Sequence, residues 1–203
     1  MSAILDAHLL ALSAALPRFR DQGMRLAEWG DTLARVLAGG GRLLVAGNGG
    51  SAEQAQHLAA ELVGKLRDDR PALAALALCA EPAAVTAISN DYGYQQVFAR
   101  QVAAHGRPGD LLLLISTSGA SGNLLAAAEA AMERGLRCWA LTGPAPNPLA
   151  DRCQDTVAVA SPEPQVVQEL HLVAIHVLCE HVDAALPAVT DLGLTEDLMV
   201  SGG

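Results

Sequence analysis

Apolar residues recur at two different periods along this chain, and the change of period divides it. From residue 3 to residue 38 they fall every three or four positions: Leu5, Leu9, Leu12 and Leu16, then Leu26, Trp29, Leu33 and Val36. That is the spacing of one helix face, so the segment predicts a helical arm. Pro17 predicts a break or kink, with a second helix from about Asp21 to Leu37 stopped by Gly39-Gly40-Gly41. Beyond residue 41 short unbroken apolar runs take over: Arg42–Ala46, Ala72–Leu78, Leu111–Ile115, Cys138–Leu141 and Thr156–Ala160. Helical patterns separate them, at Ser51–Lys65, Glu81–Ser89, Gln95–Ala104, Ser121–Arg134 and Glu163–Ala185. Leu66–Arg70 and Thr142–Pro148 read as loops, and Asn90–Gly93 as a turn. Short apolar strands alternating with helices predict an α/β fold, a three-layer sandwich whose mainly parallel sheet is flanked by helices. The expected organisation is an arm at 1–38, an α/β domain at 39–186, and a tail at 187–203 that is mobile in part.

Two units of the α/β region are built alike, as strand, small polar turn and helix. The first is GNGGSA after RLLVA, with Ser51 as an expected helix N-cap. Glycines let the backbone approach a ligand closely, and a helix start offers free N–H groups to an anion. The second is STSGAS after LLLLI, where Ser116, Thr117, Ser118 and Ser121 gather four hydroxyls within six residues. One hydroxyl suffices to cap a helix, so the cluster predicts a phosphate cradle. A dinucleotide site competes, because Gly47-x-Gly49-x-x-Ala52 fits the loose fingerprint. Its acidic ribose partner belongs at the end of the second strand, and Glu81 lies too far along. The hydroxyl-rich second turn also has no place in hydride transfer.

Composition narrows the classes. With 203 residues and 51% hydrophobic content the chain can bury a sizeable core. Thirteen Lys and Arg against 22 Asp and Glu give a formal charge of -9, which argues against nucleic-acid binding through a basic surface. An acidic protein that holds phosphate must use local fields such as the two turns. The longest apolar run, Ala72–Ala80, is nine residues, whereas a membrane-spanning helix needs about 20. The N-terminus, MSAILDAHLL, is a poor secretory signal, so a cytoplasmic, membrane-free protein is expected. Cys79, Cys138, Cys153 and Cys179 form no C-x-x-C pair and read as small hydrophobes of a reducing compartment.

Candidate chemistry lies on two helices. His57 and Glu61 are four residues apart, so they share a face and could converge on a metal or substrate, or form a surface ion pair. The last helix carries Gln168, Glu169, His171 and His176. His176 is flanked by Ala174, Ile175, Val177 and Leu178, which predicts packed surroundings for it. Gln168 and His176 are eight residues apart, about 12 Å along a helix, an awkward separation for one ion. His8, His105 and His181 read as solvated or structural.

The ordered motifs GNGGSAEQAQHLAAEL, ISNDYGY, ISTSGASGN and QELHLVAIH resemble those of the sedoheptulose 7-phosphate isomerases, or phosphoheptose isomerases, of the sugar isomerase (SIS) fold. The resemblance spans roughly residues 5 to 186. It implies a flavodoxin-like or Rossmann-like sheet and an enzyme of heptose biosynthesis that makes D-glycero-D-manno-heptose 7-phosphate through an enediol. It implies that Glu61 is the catalytic base and His176 the acid. It implies substrate contacts from Asn48, Gly49, Gly50, Ser51, Glu61, Asn90, Asp91, Ser116, Thr117, Ser118, Ser121 and Gln168. It implies zinc held by His57, Glu61, Gln168 and His176, in a homotetramer whose sites form between subunits, so that different chains could supply the ligands.

The chain departs from the family pattern at Lys65, where Arg is usual, and at Gln165 and Val166, where Asp-Arg is usual. The alternative is a non-catalytic SIS protein that binds a sugar phosphate or the replication initiator DnaA. That branch typically lacks the glutamate and the final histidine, both kept here as Glu61 and His176.

Overall fold

The computed structural model describes residues 2–200, with side chains described through residue 190. Two helices, α1 (Ala3–Arg20) and α2 (Gly23–Ala38), precede β1 (Leu43–Gly47), α3 (Gly50–Val63) and β2 (Ala75–Ala77). Then come α4 (Pro82–Tyr92), a 3-10 turn (Tyr94–Gln96), α5 (Val97–His105), β3 (Leu111–Ser116) and α6 (Gly122–Glu133). The chain ends with β4 (Arg137–Thr142), α7 (Pro148–Arg152), β5 (Asp155–Ala158) and α8 (Pro164–Val200). All five strands are parallel, in the order β2-β1-β3-β4-β5.

The apolar runs are unbroken because helices cover both faces of the sheet. Leu43, Val45, Leu111, Leu113, Ile115 and Leu141 face one core, shared with α2, α3 and α8. Leu44, Ala46, Leu112, Leu114, Cys138 and Ala140 face the other, shared with α5 and α6. Alternate side chains thus feed alternate cores, and the half-buried polar pair Asp155 and Thr156 falls on the edge strand β5. From β1 the chain steps one way to β2, then returns past β1 to β3. The crossovers diverge at that point and leave a crevice at the carboxyl ends of β1 and β3, the usual ligand position in open α/β sheets. Both polar turns sit there.

Several local expectations are corrected. α1 runs through Pro17, and the break falls at Asp21–Gln22. α8 passes through Pro187 instead of ending near Ala185. An interior proline forfeits a helix hydrogen bond. Here Leu186 and Val189, on either side of it, pack against the core and offset that loss. Asn90 and Asp91 lie in the last turn of α4, not in a turn beyond it. Ser51 is not a cap: Gly49 holds that position, and Ser51 is buried at 4% exposure beneath Gly47. A short helix, α7, interrupts what reads as loop, with Asn147 accepting from Ala150 N–H at its start. The last residues of the expected mobile tail, 201–203, lie outside the described residues.

Pro164–Thr190 of α8 is long and apolar enough to span a bilayer by length and composition, although it contains no long uninterrupted apolar run. One face of it belongs to the fold, while Val173 is exposed. Val166, Val167, Leu170, Ala174, Ile175, Leu178, Cys179 and Val182 are all buried in the first core.

Candidate active site

The first turn is organised by three side chains that come from three separate segments. Asn48 and Asn123 exchange reciprocal amide hydrogen bonds of 2.9 and 2.8 Å across the crevice. Tyr94 donates its hydroxyl to Asn48 Oδ1 at 2.9 Å. Asn123 is buried in the first turn of α6, so the start of the second unit holds the start of the first. Neither Tyr94 nor Asn123 emerges from residue types alone. Both lie inside the quoted motifs, and only the fold shows that they converge on Asn48.

The second turn is closed by its own hydroxyls. Gly119 N–H donates to Ser116 Oγ at 3.1 Å, and Ala120 N–H donates to Ser118 Oγ at 3.3 Å. Ser116 and Ser118 stand 3.5 Å apart through their hydroxyls. Ser121 occupies the N-cap of α6 but makes no capping bond with its side chain. Thr117 is half-buried and Ser118 exposed, so hydroxyls face the open side of the turn. Gly119 has φ +61°, and an added Cβ would collide with the Asn147 side chain. Leu149 N–H donates to Gly119 carbonyl at 2.8 Å. The turn therefore rests on Asn147 and the start of α7.

Gln168 joins the last helix to the first turn. A Cβ on Gly50 would fall 2.8 Å from Gln168 Nε2, so glycine lets the amide rest against the turn, and a larger residue would push it aside. Gln54 Nε2 donates to the Gln168 carbonyl at 2.6 Å and fixes α8 beside α3. Asn90 and Asp91 are exposed and bonded to each other, Nδ2 to Oδ1 at 2.8 Å. Their segment reaches the first turn through Tyr94.

Farther along α3, three ligand-type side chains meet. His57 Nε2 lies 3.0 Å from His176 Nε2 and 3.2 Å from Glu61 Oε1. One potential ligand atom from each of the three residues falls within 4.8 Å of the others, and all three are half-buried. No second chain is needed for this much of the set: α3 and α8 of one chain bring three of the four residues together. The packed surroundings expected for His176 belong instead to His171. His171 is fully buried and bonds the Thr142 carbonyl through Nε2 at 3.0 Å, and burial lowers its pKa to about 4. His8 is not free either; it pairs with Glu169 at 2.7 Å and ties α1 to α8.

Arg70 holds this geometry from behind. Its Nε donates to Asp183 Oδ1 at 2.7 Å, and its Nη atoms donate to the carbonyls of Glu61 at 2.7 Å and Leu62 at 2.8 Å. One guanidinium thus fastens the end of α3 to α8. Lys65 is exposed, and at the other two departures Gln165 is exposed and Val166 is buried in the core.

Two hydroxyl and amide turns lie at a sheet switch point, and a His-Glu-His cluster lies farther along the helix that leaves the first of them. Residues 9–143 match the family model described as SIS domain. The phosphoheptose isomerase of Streptomyces coelicolor is 59% identical over 88% of this chain and 78% of its own length. That of Thiobacillus denitrificans is 45% identical over 93% and 94%. Among solved structures, phosphoheptose isomerase GmhA from Neisseria gonorrhoeae superposes with a TM-score of 0.82 at 38% identity, covering 89% of this chain and 97% of that one. The chain belongs to the SIS-domain family and, within it, to the phosphoheptose isomerases. It is an isomerase, and the non-catalytic alternative falls away.

Proposed function

We propose that this isomerase converts sedoheptulose 7-phosphate to D-glycero-D-manno-heptose 7-phosphate, with Glu61 and His176 as base and acid. The observation that carries the reading is the convergence of His57, Glu61 and His176 on one point beside the two polar turns. A rise of 1.5 Å per residue puts His57 about 10 Å beyond Gly50 along α3. A phosphate in the Ser116–Ser121 turn would leave the carbonyl end of the sugar to extend along α3 towards the cluster. Asn48, Gly49 and Gln168 then meet the sugar in between, and Asn90 and Asp91 reach it from the rim. Ser51 acts through the backbone of its turn, since its side chain lies beneath Gly47.

Ketose-to-aldose conversion removes a proton from the carbon next to the carbonyl and returns it to the neighbouring carbon. Glu61 takes and returns that proton. His176 donates to the carbonyl oxygen as the enediol forms and recovers a proton as it collapses. Such positioned acid–base pairs are each worth about 10²–10⁴ in rate. Two imidazoles and a carboxylate with an open side are the donor set of a catalytic zinc site, so the residues fit the ion. His57, Glu61 and His176 would hold it, while the Gln168 amide, which lies against Gly50, stands apart from these three within one chain. When bound it would supply positive charge against the oxygen that becomes anionic.

The arm, residues 1–38, supports a tetrameric assembly. Ile4, Leu5, Leu9 and Leu10 of α1 are exposed, as is Val173 of α8, and apolar positions of this kind suit contacts between subunits. A cytoplasmic place for the enzyme follows from its substrate. The direct test is incubation with sedoheptulose 7-phosphate, with and without zinc, following the aldose by NMR. Aldose formation supports the reading. An inert mixture at full zinc occupancy removes this substrate.

A further inference from the structure

Two of the four free cysteines meet although no sequence spacing announces them. Cys138 lies in β4 and Cys153 at the C-cap of α7, and their sulfurs are 3.5 Å apart. The backbone enforces the approach. Cys138 N–H donates to Gln154 Oε1 at 2.9 Å, and Gln154 N–H donates back to the Cys138 carbonyl at 2.9 Å. Residue 153 is therefore registered beside residue 138 independently of the two thiols. The other cysteines are differently placed. Cys79 Sγ donates to the Ala52 carbonyl at 3.3 Å, and Cys179 is buried in the first core.

We propose that Cys138 and Cys153 are a redox modification site that closes into an intramolecular disulfide on meeting a small-molecule disulfide. From contact distance the sulfurs need roughly 1.5 Å of further approach to bond, within reach of side-chain rotation. Cys153 is half-buried, while Cys138 is fully buried, so Cys153 meets the oxidant first. Its thiolate attacks one sulfur of the oxidant. The oxidant's S–S bond breaks, a mixed disulfide forms on Cys153, and the first half leaves as a thiol after taking up a proton. Cys138 then gives up its proton and attacks the Cys153 sulfur. The mixed bond breaks, and the second half leaves as a thiol with that proton. Two protein thiols lose two electrons, and one oxidant disulfide gains them. The hydrogen bond to Cys153 and burial both hold the Cys138 thiol up from its ordinary range, so Cys138 does not make the first attack and its resolving attack is the slower step.

The bond would act on the phosphate turn through α7. Cys153 N–H donates to the Leu149 carbonyl, Leu149 N–H to the Gly119 carbonyl, and Asn147 packs against Gly119. Oxidation ties the far end of that support to β4 and closes residues 138–153 into a loop. Constraining the unfolded chain in this way should raise the melting temperature by about 5 °C.

The test uses the full wild-type chain treated with excess oxidised glutathione, then alkylated and examined by mass spectrometry. Expected is a fall from four alkylatable thiols to two, a Cys138–Cys153 cross-linked peptide and no retained glutathione. Cys138→Ser should keep one glutathione on Cys153, and Cys153→Ser should keep its three thiols. Four surviving wild-type thiols, a glutathione left on Cys153, or a link to Cys79 or Cys179 would each overturn the proposal. The decisive readout is on the wild type, so it holds even where a serine variant misfolds. None of these readouts depends on turnover of a sugar phosphate.

Discussion

His57 of α3 and His176 of α8 face each other Nε2 to Nε2 at 3.0 Å, although 119 positions separate them in the chain. With both ring nitrogens and Glu61 Oε1 turned to one point, one imidazole must donate to the other when nothing lies between them. Glu61 carries the sharpest prediction. Glu61→Gln keeps shape and hydrogen bonding but removes the base, so kcat on sedoheptulose 7-phosphate should fall by about 10³ or more. Binding measured by calorimetry should change little. Undiminished turnover would take Glu61 out of the base role.

The same convergence predicts metal stoichiometry. Protein purified without chelators should carry about one zinc per chain, measured by elemental analysis. Removing a group that merely hydrogen-bonds to a metal ligand lowers metal affinity by about 10–100-fold. Losing a direct ligand in His57→Ala should therefore cost at least that. Full zinc retention by His57→Ala would assign the imidazole another purpose.

What the sequence revealed here was local, and what it hid was long-range. The β3 run LLLLI was legible because both of its faces are buried, so no polar residue interrupts it. Ser116–Ser121 stood out as a candidate because four hydroxyls exceed what one helix start can use, and the structure places it as the turn between β3 and α6. α7 was not, because its five residues are too few to show a period and Asn147-Pro148 reads equally as a loop. The pairing of His57 with His176, and the exchange of roles between His171 and His176, depend on how α8 lies against α3. Flanking residues report only the helix, whereas rotation about its axis decides which histidine enters the core.

Gly119 tests the proposed phosphate turn. Gly119→Ala forces a side chain into a left-handed conformation, costing about 1–2 kcal/mol, and against Asn147 as well. The turn must shift from its place over α7. KM for the sugar phosphate should rise about tenfold, since 1.4 kcal/mol is a factor of ten in affinity. Zinc content should stay at the wild-type level. An unchanged KM would place the phosphate elsewhere.

Arg70 should link stability to catalysis. Its side chain is 9% exposed, and that of Asp183 is 24% exposed. Breaking such a pair from one side costs roughly 3 kcal/mol. Arg70→Ala should lose about that in urea unfolding, and kcat should fall because α3 is freed from α8. Asp183→Asn keeps an acceptor for Nε and should lose much less. Equal losses in the two variants would show that the charge, and not the hydrogen-bonded strap, matters.

His171 predicts an acid limb of stability. Burial lowers its pKa to about 4, against about 6.5 in an unfolded chain. Its Nε2 bonds the Thr142 carbonyl, and its Nδ1 is buried without a partner, so a second proton would bring an unpaired charge into the core. Between these two pKa values the unfolded chain binds a proton that the folded one refuses. The stabilisation is therefore complete above pH 6.5 and is lost as pH falls towards 4, by about 3 kcal/mol in total. His171→Gln can keep a donor to Thr142 but cannot titrate. The difference in unfolding free energy between wild type and His171→Gln should narrow or reverse by about that amount from pH 7 to pH 4. Every other group is common to both proteins and cancels in the comparison. A difference independent of pH would mean that His171 gains its proton without leaving the core.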